Sequence, residues 1–268
     1  MTPPRIVATD LDGTLLDSTG SVSPRTRAAL RLAERAGAEI VFVTARPPRS
    51  TESVAALAGV TGTAVCSNGA IVYDLAGRTI TERTDLDLAI LRKIMAALVE
   101  SVPGIVFAAE TGHGVLCEPG YSRRIPEDLA FYRDVASLCD AGEPVAKLLA
   151  WADGHAVDDL AGLALVALQD QVTITHSGGR SLLEISATGV DKAATLARLC
   201  QARGVDPADV VAFGDMPNDL AVLAYAGHGY AMGNAHPLLL ETIGRRTLSN
   251  DEDGVAAVLE RLYGVPQR

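Results

Sequence analysis

The sequence predicts an α/β fold, a doubly wound parallel-sheet core of the Rossmann-like kind with an α+β domain inserted into it. Three observations carry that prediction. Short apolar runs alternate with helix-period segments at both ends of the chain. The rhythm breaks in the middle, where Gly-containing turns join neighbouring strands. Acidic and hydroxyl residues recur just past the ends of the predicted core strands, where open α/β sheets bind ligands.

Ile6-Val7-Ala8 reads as a buried first strand and runs into Asp10-Leu11-Asp12-Gly13-Thr14-Leu15-Leu16-Asp17. In an extended backbone residues i and i+2 share a side, so Asp10 and Asp12 are expected to aim two carboxylates at one point. Gly13 supplies the freedom for a sharp turn. Two such charges demand a cation between them or a retained proton. An Asp-rich surface turn is the plain structural alternative. Ser23 caps a helix that Pro24 opens and Gly37 ends. Ile40–Val43 is a continuous apolar run suited to a strand buried on both faces, with Thr44-Ala45-Arg46-Pro47 at its end. A helix over 50–58 and a third strand, Thr63–Cys66, lead to Ser67-Asn68-Gly69-Ala70.

Ile71–Asp74 and Thr79–Thr81 flank Gly77 as a hairpin. There follow a helix over about 85–101, strands over 104–109 and 114–117, a helix near Pro126–Leu138, a strand over Ala146–Trp151, a helix near Val157–Leu168 and a hairpin from Val172 to Ser186 turning at His176-Ser177-Gly178-Gly179. Residues 83–186 are assigned to the inserted domain, and 1–82 with 187–268 to the core. The α/β alternation then resumes. Asp191-Lys192 opens a helix to about Arg203, and Val210–Phe213 is a buried strand ending in Gly214-Asp215-Met216-Pro217-Asn218-Asp219. A helix to Ala226, strands at 230–232 and 246–248, and a helix over about 251–262 complete the chain.

Composition narrows the function classes. The formal net charge of −10 argues against a nucleic-acid or anionic-membrane partner, and no apolar run reaches the roughly 20 residues of a membrane helix. The N-terminus lacks the apolar region of a signal peptide, and the four cysteines are scattered without a CxxC pair, so a cytoplasmic protein with reduced thiols is expected. A small phosphorylated ligand stays compatible with the charge, because donors and a metal can reverse the field in one pocket. Asp10 and Asp215 offer hard oxygen ligands, which favours Mg²⁺. Asp219 lies four residues after Asp215, placed to hold a metal-bound water or to orient its neighbours; its plain alternative is a helix-start charge.

Taken together, Asp10-Leu-Asp12-Gly-Thr-Leu-Leu, Val43-Thr44-Ala45-Arg46, Lys192 before a helix, and Gly214-Asp215-x-x-Asn218-Asp219 resemble the haloacid dehalogenase (HAD) superfamily. Ser67-Asn68-Gly69-Ala70, Ala231–Ala235 and Ser249–Val255 further resemble its Cof-type (IIB) phosphatases. The resemblance implies that Asp10 is the nucleophile, forming an aspartyl-phosphate, and that Asp12 protonates the leaving oxygen and then activates water. It also implies that Asp10, the backbone carbonyl of Asp12 and Asp215 hold Mg²⁺ with Asp219 in support, and that Thr44, Lys192, Asn68 and Asn218 bind the phosphate. The inserted domain would act as a cap that selects the substrate, with Arg123, Arg124, His113 and His176 as candidate readers, Lys147 unassigned and Trp151 a packing residue.

The implied activity is Mg²⁺-dependent hydrolysis of a small phosphorylated metabolite, a sugar phosphate first, by a monomer or homodimer. Rival readings are a phosphomutase or a specialised phosphatase for mannosyl-3-phosphoglycerate, sucrose phosphate or phosphoglycolate. Outside enzymes, a phosphate-binding regulatory protein is the rival; a phosphoacceptor receiver domain is too short. Two departures from the pattern stand out: Ala45 where glycine is usual, and Met216 where a polar residue is frequent.

Overall fold

The computed structural model describes residues 3–122, 124–176 and 181–264. Arg123 and the Ser177–Gly179 turn therefore lie outside the described residues.

Among the described residues thirteen strands form two sheets: β1 (Ile6–Thr9), β2 (Glu39–Val43), β3 (Thr63–Cys66), β4 (Ile71–Asp74), β5 (Thr79–Arg83), β6 (Val106–Glu110), β7 (Val115–Cys117), β8 (Tyr132–Asp134), β9 (Lys147–Trp151), β10 (Val172–Thr175), β11 (Leu182–Ala187), β12 (Val210–Gly214) and β13 (His228–Ala231). The helices are α1 (Pro24–Arg35), α2 (Pro48–Ala58), α3 (Leu88–Ser101), α4 (Val157–Leu168), α5 (Lys192–Ala202), α6 (Leu220–Tyr225), α7 (Pro237–Thr242) and α8 (Gly254–Tyr263).

The first sheet has seven strands in the order β13-β12-β1-β2-β3-β4-β5. β13 to β3 run parallel, whereas β4 and β5 append an antiparallel hairpin. β1, flanked by β2 and β12, is buried along its whole length, as the unbroken apolar runs of these strands require. From β1 the chain winds outward to β2 and β3, and later returns on the other side with β12 and β13. The carboxyl ends of β1, β2 and β12 therefore meet at the switch in winding direction, where such sheets form a crevice. α1 packs on α2 and α8, while α5 packs on α6. The Ser23 hydroxyl caps α1 by accepting the Thr26 N–H at 3.0 Å, with Pro24 in the first turn.

The second sheet, β10-β11-β9-β6-β7-β8, is antiparallel except for the β7–β8 pair. Strand alternation splits its residues between two faces. Leu148, Ala150, Leu183 and Ile185 pack with α3 and α4 in one apolar cluster. Ala108, Leu149 and Trp151 belong to a smaller cluster with Tyr121, whose ring meets Trp151 edge-on at 6.4 Å between centroids. Trp151 is thus a packing residue within this sheet. Glu110, Lys147 and Glu184 are buried polar residues on the face of this smaller cluster, alternating with the residues packed on α3 and α4.

Two expectations need correction. Pro126–Leu138 is not a helix: Pro126–Phe131 forms a 3-10 turn and Tyr132–Asp134 pairs with β7. Leu129 and Phe131 remain exposed there, so the segment has no apolar stripe to bury along a helix. Arg246–Leu248 makes only a one-residue bridge, Arg246 to Ala231, and α7 precedes it unforeseen. No helix among the described residues is long and apolar enough to cross a membrane.

Candidate active site

Immediately after β1 the backbone leaves the extended conformation. The segment Leu11–Leu15 coils into a wide turn closed by the Leu16 N–H on the Leu11 carbonyl at 2.8 Å. Gly13 adopts φ +73°, and an added Cβ there would stand 2.4 Å from Asp215 Oδ2. Only glycine allows both that conformation and that approach.

This turn separates the two carboxylates that the strand alternation had joined. Asp10 stays buried, its Oδ1 accepting from Lys192 Nζ at 2.8 Å. The Asp12 side chain is 61% exposed and accepts two hydrogen bonds from Arg46, at 2.7 and 2.6 Å. The i, i+2 argument fails because the strand ends at Thr9.

The acidic cluster that does form joins Asp10, Asp215 and Asp219, each offering an oxygen within 4.8 Å of the others. Asp215 Oδ1 accepts from the Thr14 hydroxyl at 2.7 Å. Asp219 uses both oxygens: Oδ1 accepts from Lys192 at 2.7 Å, and Oδ2 from the Asp215 and Met216 amides at 3.1 Å each. It therefore pins the loop that carries Asp215. Lys192 begins α5, whose N-cap Asp191 accepts the Ala194 amide at 2.7 Å.

Burial, reinforced by the Asp219 and Asp215 charges, raises the Asp10 pKa, against the pull of Lys192. Burial likewise dominates at Asp215, whose pKa is pushed up to about 6 despite the Thr14 hydrogen bond. For Lys192 burial works downward, but the Asp10 and Asp219 charges outweigh it and keep the ammonium well above the ordinary lysine value. The site is a buried cation holding together carboxylates that are otherwise poorly solvated.

Thr44 is buried past β2, its hydroxyl accepting from the Arg46 amide at 3.1 Å. Ala45 is absent from the positive-φ residues, so its methyl group is accommodated without strain. Asn68, at φ +54°, does not present a free amide. Its Nδ2 donates to Glu184 at 3.0 Å and Thr175 at 2.9 Å, and its Oδ1 accepts from Asn218 Nδ2 at 3.2 Å. The stretches around Asn234 and Asn250 brace the Asp10 turn: Asn234 Nδ2 donates to the Gly13 carbonyl at 2.8 Å and Asn250 Nδ2 to the Leu16 carbonyl at 2.9 Å.

Of the candidate readers, Arg124 pairs with Asp134 and lies 5.6 Å over the Tyr132 ring. His176 Nε2 stands 3.4 Å from Asp158. His113 lines a cavity of about 480 Å³ with Arg49, Tyr73, Arg78 and Phe131, beside α2 and the β4–β5 hairpin. Sequence reasoning missed Arg46 as the partner of Asp12, Thr14 as the partner of Asp215, and two links between the sheets. One link is Arg49, bidentate to Glu110 at 2.8 Å and 3.2 Å from Asp128. The other is Lys147, paired with Glu184 and 2.9 Å from the Ala45 carbonyl. For Lys147 the sequence signal was a charge within an apolar strand, Lys147-Leu-Leu-Ala-Trp151.

A carboxylate at the end of β1, an ammonium locked to it and further carboxylates on the neighbouring strand end suit phosphoryl transfer. The profile of the haloacid dehalogenase-like hydrolase family matches residues 7–259. The chain belongs to that family. Its solved relatives include a haloacid dehalogenase-like hydrolase from Bacteroides thetaiotaomicron, 26% identical, with a TM-score of 0.79 over 97% of this chain and 100% of that one. The HAD subclass IIB sugar phosphatase BT4131 shares the fold with a TM-score of 0.77 at 20% identity, over 96% of this chain and 98% of that one.

Among curated relatives, pyridoxal phosphate phosphatase YbhA of Escherichia coli is 28% identical, over 86% of this chain and 88% of its own. The Bacillus subtilis 5-amino-6-(5-phospho-D-ribitylamino)uracil phosphatase YcsE is 28% identical over 95% and 94%. This HAD-family chain is a phosphoric monoester hydrolase.

Proposed function

We propose that the chain is a Mg²⁺-dependent phosphatase that hydrolyses a small phosphorylated metabolite, a sugar phosphate in the first instance, through an aspartyl-phosphate on Asp10. The observation that carries this reading is the Lys192 bridge. It holds Oδ1 of Asp10 and leaves Oδ2 to attack phosphorus. As the new oxygen–phosphorus bond forms, the ester bond breaks and the leaving oxygen takes a proton from Asp12. The Asp12 carboxylate then takes a proton from water, whose oxygen attacks phosphorus and frees phosphate and Asp10. Thr44 and Lys192 bind the transferring group, Lys192 chiefly through charge.

Asp10, Asp215 and the Asp12 backbone carbonyl would hold Mg²⁺. Hard oxygens clustered without Cys or His suit that ion. When bound, it supplies charge that screens the phosphate from the carboxylates. Asp219, with both oxygens engaged, supports the Asp215 loop.

Residues 1–82 with 187–268 act as the catalytic core and 83–186 as a cap that covers it and selects the substrate, in a cytoplasmic enzyme. Lys147 and Arg49, which cross between the two, support that division. Relatives equally distant from this chain are named for different substrates, pyridoxal phosphate and a phosphoribitylamino-uracil. Overall similarity therefore selects the class of small phosphate esters, and the cap selects within it. The test is a panel of phosphate esters assayed with Mg²⁺ for wild type and Asp10→Asn. Hydrolysis by wild type and background rates for the variant are expected; equal rates would refute the Asp10 assignment.

A further inference from the structure

We propose that Glu184 of the cap is a positioning residue for the catalytic loop, acting through Asn68 to fix which way round the Asn218 amide is held. The inference deepens the phosphatase reading and rests on it for the kinetic part of its test.

The chain has three lysines, Lys93, Lys147 and Lys192, and two of them are buried. Lys192 serves the catalytic carboxylates, whereas Lys147 stands on cap strand β9 and pairs with Glu184 on β11. Lys147 also donates to the carbonyl of Ala45, the neighbour of Thr44. Paired with an ammonium, the Glu184 carboxylate only accepts hydrogen bonds.

That single fact propagates. Asn68 must turn Nδ2 toward Glu184 Oε2, which it meets at 3.0 Å, so its Oδ1 faces the core. Asn218 must then turn its own Nδ2 toward that oxygen, at 3.2 Å. Asn68 has little freedom to comply otherwise: it is 1% exposed, in the left-handed region, and its second amide hydrogen is held by Thr175 at 2.9 Å. Asn218 Oδ1 is left buried without a partner among the described residues, one residue from Asp219. The cap carboxylate thereby determines that the catalytic loop shows an acceptor at this place, suited to a ligand hydroxyl rather than to an unprotonated phosphoryl oxygen. A glutamine at 184 offers both donor and acceptor, so it satisfies Asn68 either way round and the direction is lost.

The experiment compares wild type, Glu184→Gln and the neutral pair Lys147→Met/Glu184→Gln, each labelled with ¹⁵N-asparagine. The four asparagines, Asn68, Asn218, Asn234 and Asn250, give four side-chain NH₂ signals. In Glu184→Gln the Asn218 signals are expected to move together with those of Asn68, to which Asn218 is hydrogen-bonded, while Asn234 and Asn250 stay fixed. Unmoved Asn218 signals would overturn the inference. Should the single variant fail to fold, the neutral pair carries the same test, because its buried charges are removed together.

On a phosphate ester that wild type turns over, kcat of Glu184→Gln should fall roughly ten- to a hundredfold, the cost of a small misplacement, with KM nearly unchanged. The neutral pair should recover the melting temperature without recovering kcat; kcat recovered in step with Tm would show a merely structural role. A wild type that hydrolyses no ester would sink the phosphatase reading, while the NH₂ signals still decide the role of Glu184.

Discussion

Lys192 Nζ lies 2.8 Å from Asp10 Oδ1, joining residues 182 positions apart at the carboxyl edge of the seven-stranded sheet. The same ammonium reaches Asp219 at 2.7 Å, so the end of β1, the start of α5 and the loop after β12 share one buried charge. The proposed catalytic geometry and core stability are therefore coupled at this point.

Lys192→Met should accordingly cost both. It strands Asp10 and Asp219 in the interior without their counter-charge, a loss of about 3–5 kcal/mol for a broken buried pair. Urea unfolding would show the midpoint falling, and turnover should be undetectable. Lys192→Arg should not rescue, because a planar fork cannot replace a compact ammonium between two carboxylates. A stable and active arginine variant would contradict the bridge.

Asp10 and Asp12 should separate cleanly by mutation. Asp10→Asn keeps the Lys192 contact through its amide oxygen and should fold with turnover abolished. Asp12 is exposed and clamped by Arg46, so Asp12→Asn should barely alter stability. It should still release a good leaving group such as p-nitrophenolate in the first step, and fail with an alkyl phosphate that needs a proton. Equal loss for both esters in burst kinetics would exclude the acid role.

The strand ends and the helix start that hold Asp10, Thr44, Lys192 and Asp215 were legible, because apolar runs and caps are local signals. The direction of Asp12 was not. It depends on a wide turn whose shape answers to Asp215, about 200 positions away, through the Thr14 hydrogen bond. Pro126–Leu138 misled in the same manner: its local signals suggested a helix, but pairing of Tyr132, on the edge strand β8, with Val115 of β7 prevails. Lys147 was visible as an odd charge in an apolar strand, whereas its partners Glu184 and the Ala45 carbonyl belong to another strand and to the loop past β2.

Gly13→Ala tests the turn directly. The substitution forces a side chain into φ +73° and against Asp215 Oδ2 at 2.4 Å. Backbone strain of about 1–3 kcal/mol is expected, together with displacement of Asp215. Thermal unfolding should shift downward and the Mg²⁺ concentration for half-maximal activity should rise. A variant with lowered Tm but unchanged Mg²⁺ dependence would separate the turn from the metal ligands.

Proton and metal should compete at Asp215. Burial is the main reason its pKa stands at about 6 in the fold, against an ordinary value of 3.8. With the folded value raised, the metal-free fold holds this proton more tightly than the unfolded chain does. Its stabilising effect is complete below 3.8 and is lost as pH rises through about 6, a span worth up to roughly 3 kcal/mol. Without metal, the stability difference between wild type and Asp215→Asn should therefore shift against wild type from pH 4 to pH 6.5. Mg²⁺ binding requires the ionised carboxylate, so below pH 6 the half-saturating Mg²⁺ concentration should rise by about tenfold per pH unit. Thermal-shift titrations with Mg²⁺ at pH 5 and pH 7.5 measure both effects. EDTA should return the protein to its metal-free curve and stop turnover. Turnover that persists in EDTA, or Mg²⁺ affinity independent of pH across this range, would remove Asp215 from the metal site.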